Sequence, residues 1–260
     1  MADTLSSRTS TPSDDGRMSL MEHLIELRSR IIKCAIAVSI GTVLGWLLYQ
    51  PVLGVLRAPL EDLATADNVS DTLLVLDPLE GFMLRIKMSA YIGIAMAMPF
   101  LLWQLWRFVS PGLYQNERRY ATAFVGSATV LFVMGAAVAY YTLPEALGFL
   151  QSVGGDDLFY QYSPQKYLTL ILYMMLAFGL GFEFPILLVF LQLVGVIQPQ
   201  QLREFRRFGI VIIFVIAAII TPSADPISLI ALALPMVVFY EISILLGRLI
   251  VRRREAAGAA

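Results

Sequence analysis

Apolar positions along this chain gather into blocks far longer than the alternating or helical patches of a soluble domain. The first is IIKCAIAVSIGTVLGWLLY, Ile31 to Tyr49; the second runs from about Met88 to Trp106 and the third from Ala121 to Leu143. The fourth, Tyr167 to Val194, is the longest. A helix needs about 20 apolar residues to cross a hydrocarbon layer of about 30 Å, so each block predicts a transmembrane helix. Two blocks that look shorter follow, FGIVIIFVIAAII (208–220) and ISLIALALPMVVFYEISILLG (227–247), split by the turn TPSADP. They predict a short fifth and a short sixth span. The fifth would cover only about 20 Å at the helical rise of 1.5 Å per residue, so the bilayer must thin there or neighbouring helices must shield it.

Polar residues between the blocks set the orientation. All of the 19 Lys and Arg except Arg57, Arg85, Lys87 and Lys166 fall in the tails and the even-numbered loops. By the positive-inside rule both termini are then cytoplasmic. The expected organisation is a six-helix transmembrane domain over 18–250, a disordered cytoplasmic tail over 1–17 and a cytoplasmic tail over 251–260. The first tail, MADTLSSRTSTPSDDGR, lacks the charged start and short apolar core of a cleaved signal peptide.

Composition agrees and excludes some chemistry. The chain is 58% hydrophobic and 15% charged, outside the range of ordinary soluble domains. A net charge of -1 gives no reason to expect nucleic acid as a partner. Cys34 and His23 are the sole residues of their types, so neither an internal disulfide nor a His/Cys metal site is expected. No phosphate-binding G-x-x-x-x-G-K-[ST] loop occurs, and no cofactor is expected.

Charged residues near or within the blocks are the candidates for function. In MSLMEHLIELRSRIIK (18–33), Met21, Leu24, Ile25 and Ile32 recur at helical spacing, as do Glu22, Glu26 and Arg30. Spacing alone predicts an interfacial helix with a Glu26–Arg30 pair worth a few tenths of a kcal/mol. In WRFVSPGLYQNERRY (106–120), Pro111-Gly112 ends the second span, and Glu117 stands as counter-ion among Arg107, Arg118 and Arg119. Gly41 and Gly45 predict close packing within the chain. Glu241 is expected to pair with Arg248 or reach the interface. Glu183 lies deep in the fourth block, inside LAFGLGFEFPILLVF. An intramembrane carboxylate is a functional candidate by default, because leaving one in lipid costs about 3 kcal/mol even on the lenient insertion scale. It is expected to face a groove, largely protonated.

Several stretches occur together in one order: HLIELRSR, APL (58–60), PLEGFMLRIK (78–87), FVSPGLYQNERR, FGLGFEFP and TPSADPIS. From about residue 18 to 248 the set closely resembles the TatC family, the multispanning subunit of the twin-arginine protein translocase. The resemblance implies a receptor for the twin-arginine signal peptides of folded cargo, driven by the proton gradient in the inner membrane. It implies TatA-like and TatB-like single-span partners, surrounding membrane lipid and an oligomeric working state. Carried over residue by residue, it implies signal-peptide binding by Glu26, Arg28, Phe108, Glu117 and Arg118. It also implies a partner contact at Glu183, on a concave face of an all-α membrane protein, and outer-face functional residues at Pro59 and Asp225. Where many relatives have glutamine after the serine of TPSADPIS, this chain has Leu229. A proton-coupled secondary transporter using Glu183 is the alternative, but residues 20–145 and 165–250 show none of the internal repetition such transporters carry.

Overall fold

The computed structural model describes residues 20–64, 73–109, 121–155, 160–193, 195–223 and 225–258, and Glu117 and Arg118 therefore lie outside the described residues. Every regular element among the described residues is a helix: α1 Leu20–Leu47, α2 Tyr49–Ala64, α3 Glu80–Val109, α4 Ala121–Gly154, α5 Pro164–Leu193, α6 Pro199–Glu204, α7 Arg206–Ile220 and α8 Pro226–Gly258. Five of them are long and apolar enough to cross a membrane: α1, α3, α4, α5 and α8.

The fifth predicted span is α7, and it is short, with 15 residues covering about 22 Å. The sixth is not short. Its apolar stretch runs from Pro226 to Leu249, and α8 continues to Gly258. Gly247, which closed that block in the sequence, does not end the helix. It leaves room for a neighbour instead: a Cβ there would lie 3.1 Å from Pro199 Cγ and would collide with the Gln192 side chain. The helix ends that do use a left-handed residue are those of α4 and α5, where Gly155 and Gly195 have φ of +92° and +80°.

α5 forms the centre. Phe178 and Phe182 are fully buried in it, and half of its apolar stretch is buried, against 11% for α1. α1 packs chiefly on α3 and α7 chiefly on α8, so these two helices lie at opposite ends of a row. Gly41 and Gly45 bring α1 against α3 backbone to backbone, as their spacing predicts. A Cβ at Gly41 would lie 2.6 Å from the Gly93 carbonyl oxygen, and one at Gly45 would lie 2.6 Å from that of Ser89. Replacing Gly41 by valine is expected to lower stability by about 2 kcal/mol through overpacking. Thermal unfolding of the purified chain in detergent would read this as a lower Tm.

Ring and hydrogen-bond contacts show which helix ends lie together. Trp106 of α3 meets Phe124 of α4 and Phe190 of α5, Gln192 of α5 donates to Ser243 O of α8, and Arg206 of α7 pairs with Glu241 of α8 at 2.6 Å. Glu241 thus clamps α7 rather than pairing with Arg248. The start of α1 joins this end through His23, which stacks on Phe108. The opposite end carries α2, the starts of α3, α5 and α8, and the finish of α7.

Candidate functional site

The charged lead-in does not lie apart as a separate interfacial helix. It is about the first four turns of a continuous α1, and it docks on the last turns of α3. Glu26 and Arg30, four residues apart on one face, form the predicted pair, with Arg30 Nε 3.1 Å from Glu26 Oε1 and Nη2 bonded to the same oxygen. Arg30 then reaches across to α3. Nη1 donates to Gln104 O at 3.4 Å and to Gln104 Oε1 at 3.3 Å, and Nη2 donates to Arg107 O at 3.0 Å. Carbonyls in the last turn of a helix have no partner within the helix, and a cation there also meets the negative end of the dipole. Arg30 therefore caps α3 as well as pairing with Glu26.

This leaves the Glu26 carboxylate half used. Oε1 is held by Arg30, while Oε2 is buried and has no hydrogen-bond partner. Beside it the His23 and Phe108 rings stack, 4.3 Å between centroids and 20° between planes, which fixes Phe108 at the same junction. Arg28 is exposed. It lies 200° around the helix from Glu26 at 100° per residue, so it does not join the cluster. Of the signal-binding residues read from the sequence, the junction brings together Glu26 and Phe108. Gln104, only 6% exposed, and Arg30 as a cap were missed there, because a partner 74 residues away leaves no mark in local spacing.

Pro59 and Asp225 have local structural duties at the opposite end. Pro59 is buried inside α2, where it lacks an N–H for the carbonyl four residues earlier. That carbonyl, Val55 O, accepts a hydrogen bond from the Tyr140 hydroxyl at 2.9 Å. The next carbonyl, Leu56 O, accepts one from Tyr167 at 3.1 Å. Two tyrosines thus tie the proline-interrupted α2 to α4 and α5. Asp225 caps α8: its Oδ1 accepts the Ser228 N–H at 2.7 Å, its Oδ2 accepts the Ser223 hydroxyl, and Pro226 opens the helix. Asp225→Ala is expected to cost about 1 kcal/mol while Asp225→Asn keeps most of the cap. Paired thermal melts of the two variants would show it, and equal Tm values would contradict the capping role.

Glu80 was also missed. Its buried carboxylate accepts the Leu76 N–H at 3.0 Å, the Gln165 N–H at 3.1 Å and the Ser163 hydroxyl. A side chain from the first turn of α3 thus caps the start of α5.

Glu183 is the other unpaired acid. Both of its oxygens are buried without a hydrogen-bond partner. It shares a stripe of α5 with Leu176 and Ile186, which pack on Met98 and Leu102 of α3 and Ala128 and Phe132 of α4. One turn to either side, Leu180 and Leu187 are 48% and 45% exposed. Glu183 therefore lies on the seam between the packed face of α5 and its open face. No cluster of metal-ligating side chains occurs among the described residues.

The family model of the Sec-independent protein translocase protein (TatC) matches residues 22–235. This chain belongs to the TatC family. The family is one of translocase components rather than enzymes. A TatC of Frankia casuarinae is 39% identical over 94% of this chain and 70% of that longer protein. The Aquifex aeolicus TatC is 40% identical over 92% of this chain and 98% of that protein. A crystal structure of the twin-arginine translocase receptor TatC superposes with a TM-score of 0.73 at 40% identity, covering 88% of this chain and 99% of that one. The helical fold described above is thus that of a solved TatC.

Proposed function

We propose that this chain is the signal-peptide receptor and core subunit of a twin-arginine translocase, exporting folded proteins across the inner membrane at the expense of the proton-motive force. The observation that carries the recognition step is the Glu26 carboxylate, with one oxygen fixed by Arg30 and the other buried and unbonded. A guanidinium is the group best matched to such an acceptor, since Arg–carboxylate bonds are charge-assisted and directional. Phe108 gives the adjoining apolar wall, and Glu117 and Arg118 supply the second charged element from the loop after α3. Arg28, turned away from Glu26, serves the phosphate-bearing surface of the membrane or the signal outside the pair.

In this reading α7 is the fifth of six spans, both termini are cytoplasmic, and the row of helices is open on a concave side that Glu183 borders. TatA-like and TatB-like single-span subunits dock there, and several copies assemble in the lipid. A strain whose own receptor is deleted should regain export of a folded twin-arginine reporter when given this chain. Failure to restore it with a stably inserted chain would defeat the reading. Topology is checked separately in a Cys34→Ala background: a membrane-impermeant thiol reagent applied from outside should label a cysteine at Gly155 and not one at Gln200. The reverse pattern would overturn the orientation.

A further inference from the structure

A guanidinium has five N–H donors in a fixed planar fork. Arg30 uses all five: Nε–H and one Nη2–H go to Glu26 Oε1, the other Nη2–H to Arg107 O, and the two Nη1–H to Gln104 O and Oε1. Its side chain is 13% exposed. Nothing in this arrangement is left to bind a ligand, so Arg30 holds and does not receive. What it holds is the orientation of one carboxylate relative to the end of α3.

We infer that Arg30 is a positioning residue that turns Glu26 into a one-sided acceptor and thereby sets the preference for arginine over lysine in the signal. The inference rests on the receptor reading above. With Oε1 pinned, only Oε2 is left without a partner, and its lone pairs keep a fixed direction. A guanidinium can align one arm with that oxygen and direct its remaining donors elsewhere in the junction. An ammonium ion, a point charge, gains little from a fixed direction. The same fork joins Glu26 to the Gln104 and Arg107 carbonyls, so the acceptor and the end of α3 are held in one register. Freed from Arg30, Glu26 would rotate and offer either oxygen, which serves both cations about equally.

The test uses the full chain purified in lipid nanodiscs and two labelled synthetic signal peptides, one with the Arg-Arg pair and one with Lys-Lys. Arg30→Lys keeps the charge and removes the fork. The ratio of the two Kd values is expected to fall about tenfold, chiefly through weaker binding of the Arg-Arg peptide. A residue that only stabilises the fold would lower the folded fraction and weaken both peptides alike, with the ratio unchanged. Glu26→Gln in parallel separates the two readings. If it leaves Arg-Arg binding intact, the receptor assignment fails. If it weakens binding while Arg30→Lys keeps the ratio, the positioning role alone is overturned. Should Arg30→Lys fail to insert, Gln104→Leu carries the same test, because it removes one of the acceptors of Arg30. About a threefold fall in the ratio is expected there, and an unchanged ratio overturns the inference.

Discussion

Glu26→Gln should abolish most twin-arginine signal binding at only a modest cost in the melting temperature of the chain. The two nearly isosteric side chains differ in just the feature that matters. The amide oxygen can still accept the Arg30 Nε–H, so the bond across 3.1 Å and the capping of α3 survive. The position of Oε2 becomes an NH2 group, which repels a guanidinium. Losing one charge-assisted hydrogen bond costs about 1.5–3 kcal/mol, or about 10- to 100-fold in affinity. Glu26→Ala gives a less clear result, since both variants take the counter-ion from Arg30 but Ala also removes its acceptor oxygen. Site-specific crosslinking of a labelled signal, normalised to inserted protein, measures both. Adding Glu117→Gln should remove the residual signal, and an aspartate in the signal paired with Glu26→Arg should recover part of it. Normal crosslinking in the Glu26→Gln, Glu117→Gln double variant would show that recognition lies elsewhere.

Much of this was legible in the sequence because lipid imposes a length rule. The blocks around Ile31–Tyr49, Met88–Trp106, Ala121–Leu143 and Tyr167–Val194 each became part of a long helix, and the Glu26–Arg30 pair followed from a spacing of four. Boundaries failed where the deciding contact was distant. Gly247 read as a stop, but Gln192 and Pro199 occupy the space its missing side chain leaves. Tyr49–Ala64 lies beyond the first apolar block and is helical all the same, its interior proline tolerated because Tyr140 supplies the hydrogen bond that the missing N–H cannot. Arg85 stacks over Trp46 with 4.3 Å between its guanidinium carbon and the ring centroid, another contact between distant positions that spacing does not show. Glu80 and Gln104 could not be picked out for the same reason: their partners lie 85 and 74 residues away. Periodicity reports which face of a helix is buried, not which polar group waits on the helix packed against it.

Glu183→Leu should make the isolated chain more stable and the translocase inactive. The two signs are opposite because the residue is unsatisfied in the chain alone. Both carboxyl oxygens are buried and unbonded on the seam of α5, between the cluster of Met98, Leu102, Ala128 and Phe132 and the exposed Leu180 and Leu187. A buried polar group without a partner costs about 1–3 kcal/mol, and an apolar side chain of similar size recovers that amount by removing it. Such a deficit persists when something outside the fold makes good the missing bonds, and a polar group on a docked partner helix would do so. Glu183→Gln retains donor and acceptor capacity and should keep a substantial part of export, whereas Glu183→Ala and Glu183→Leu should lose it. Crosslinking between α5 and a single-span partner should fall in the same order, while the Tm of the chain purified without partners rises in Glu183→Leu. A lower Tm in that variant would mean the carboxyl is satisfied within the chain. Undiminished export in all three would make it a structural residue with no role in assembly.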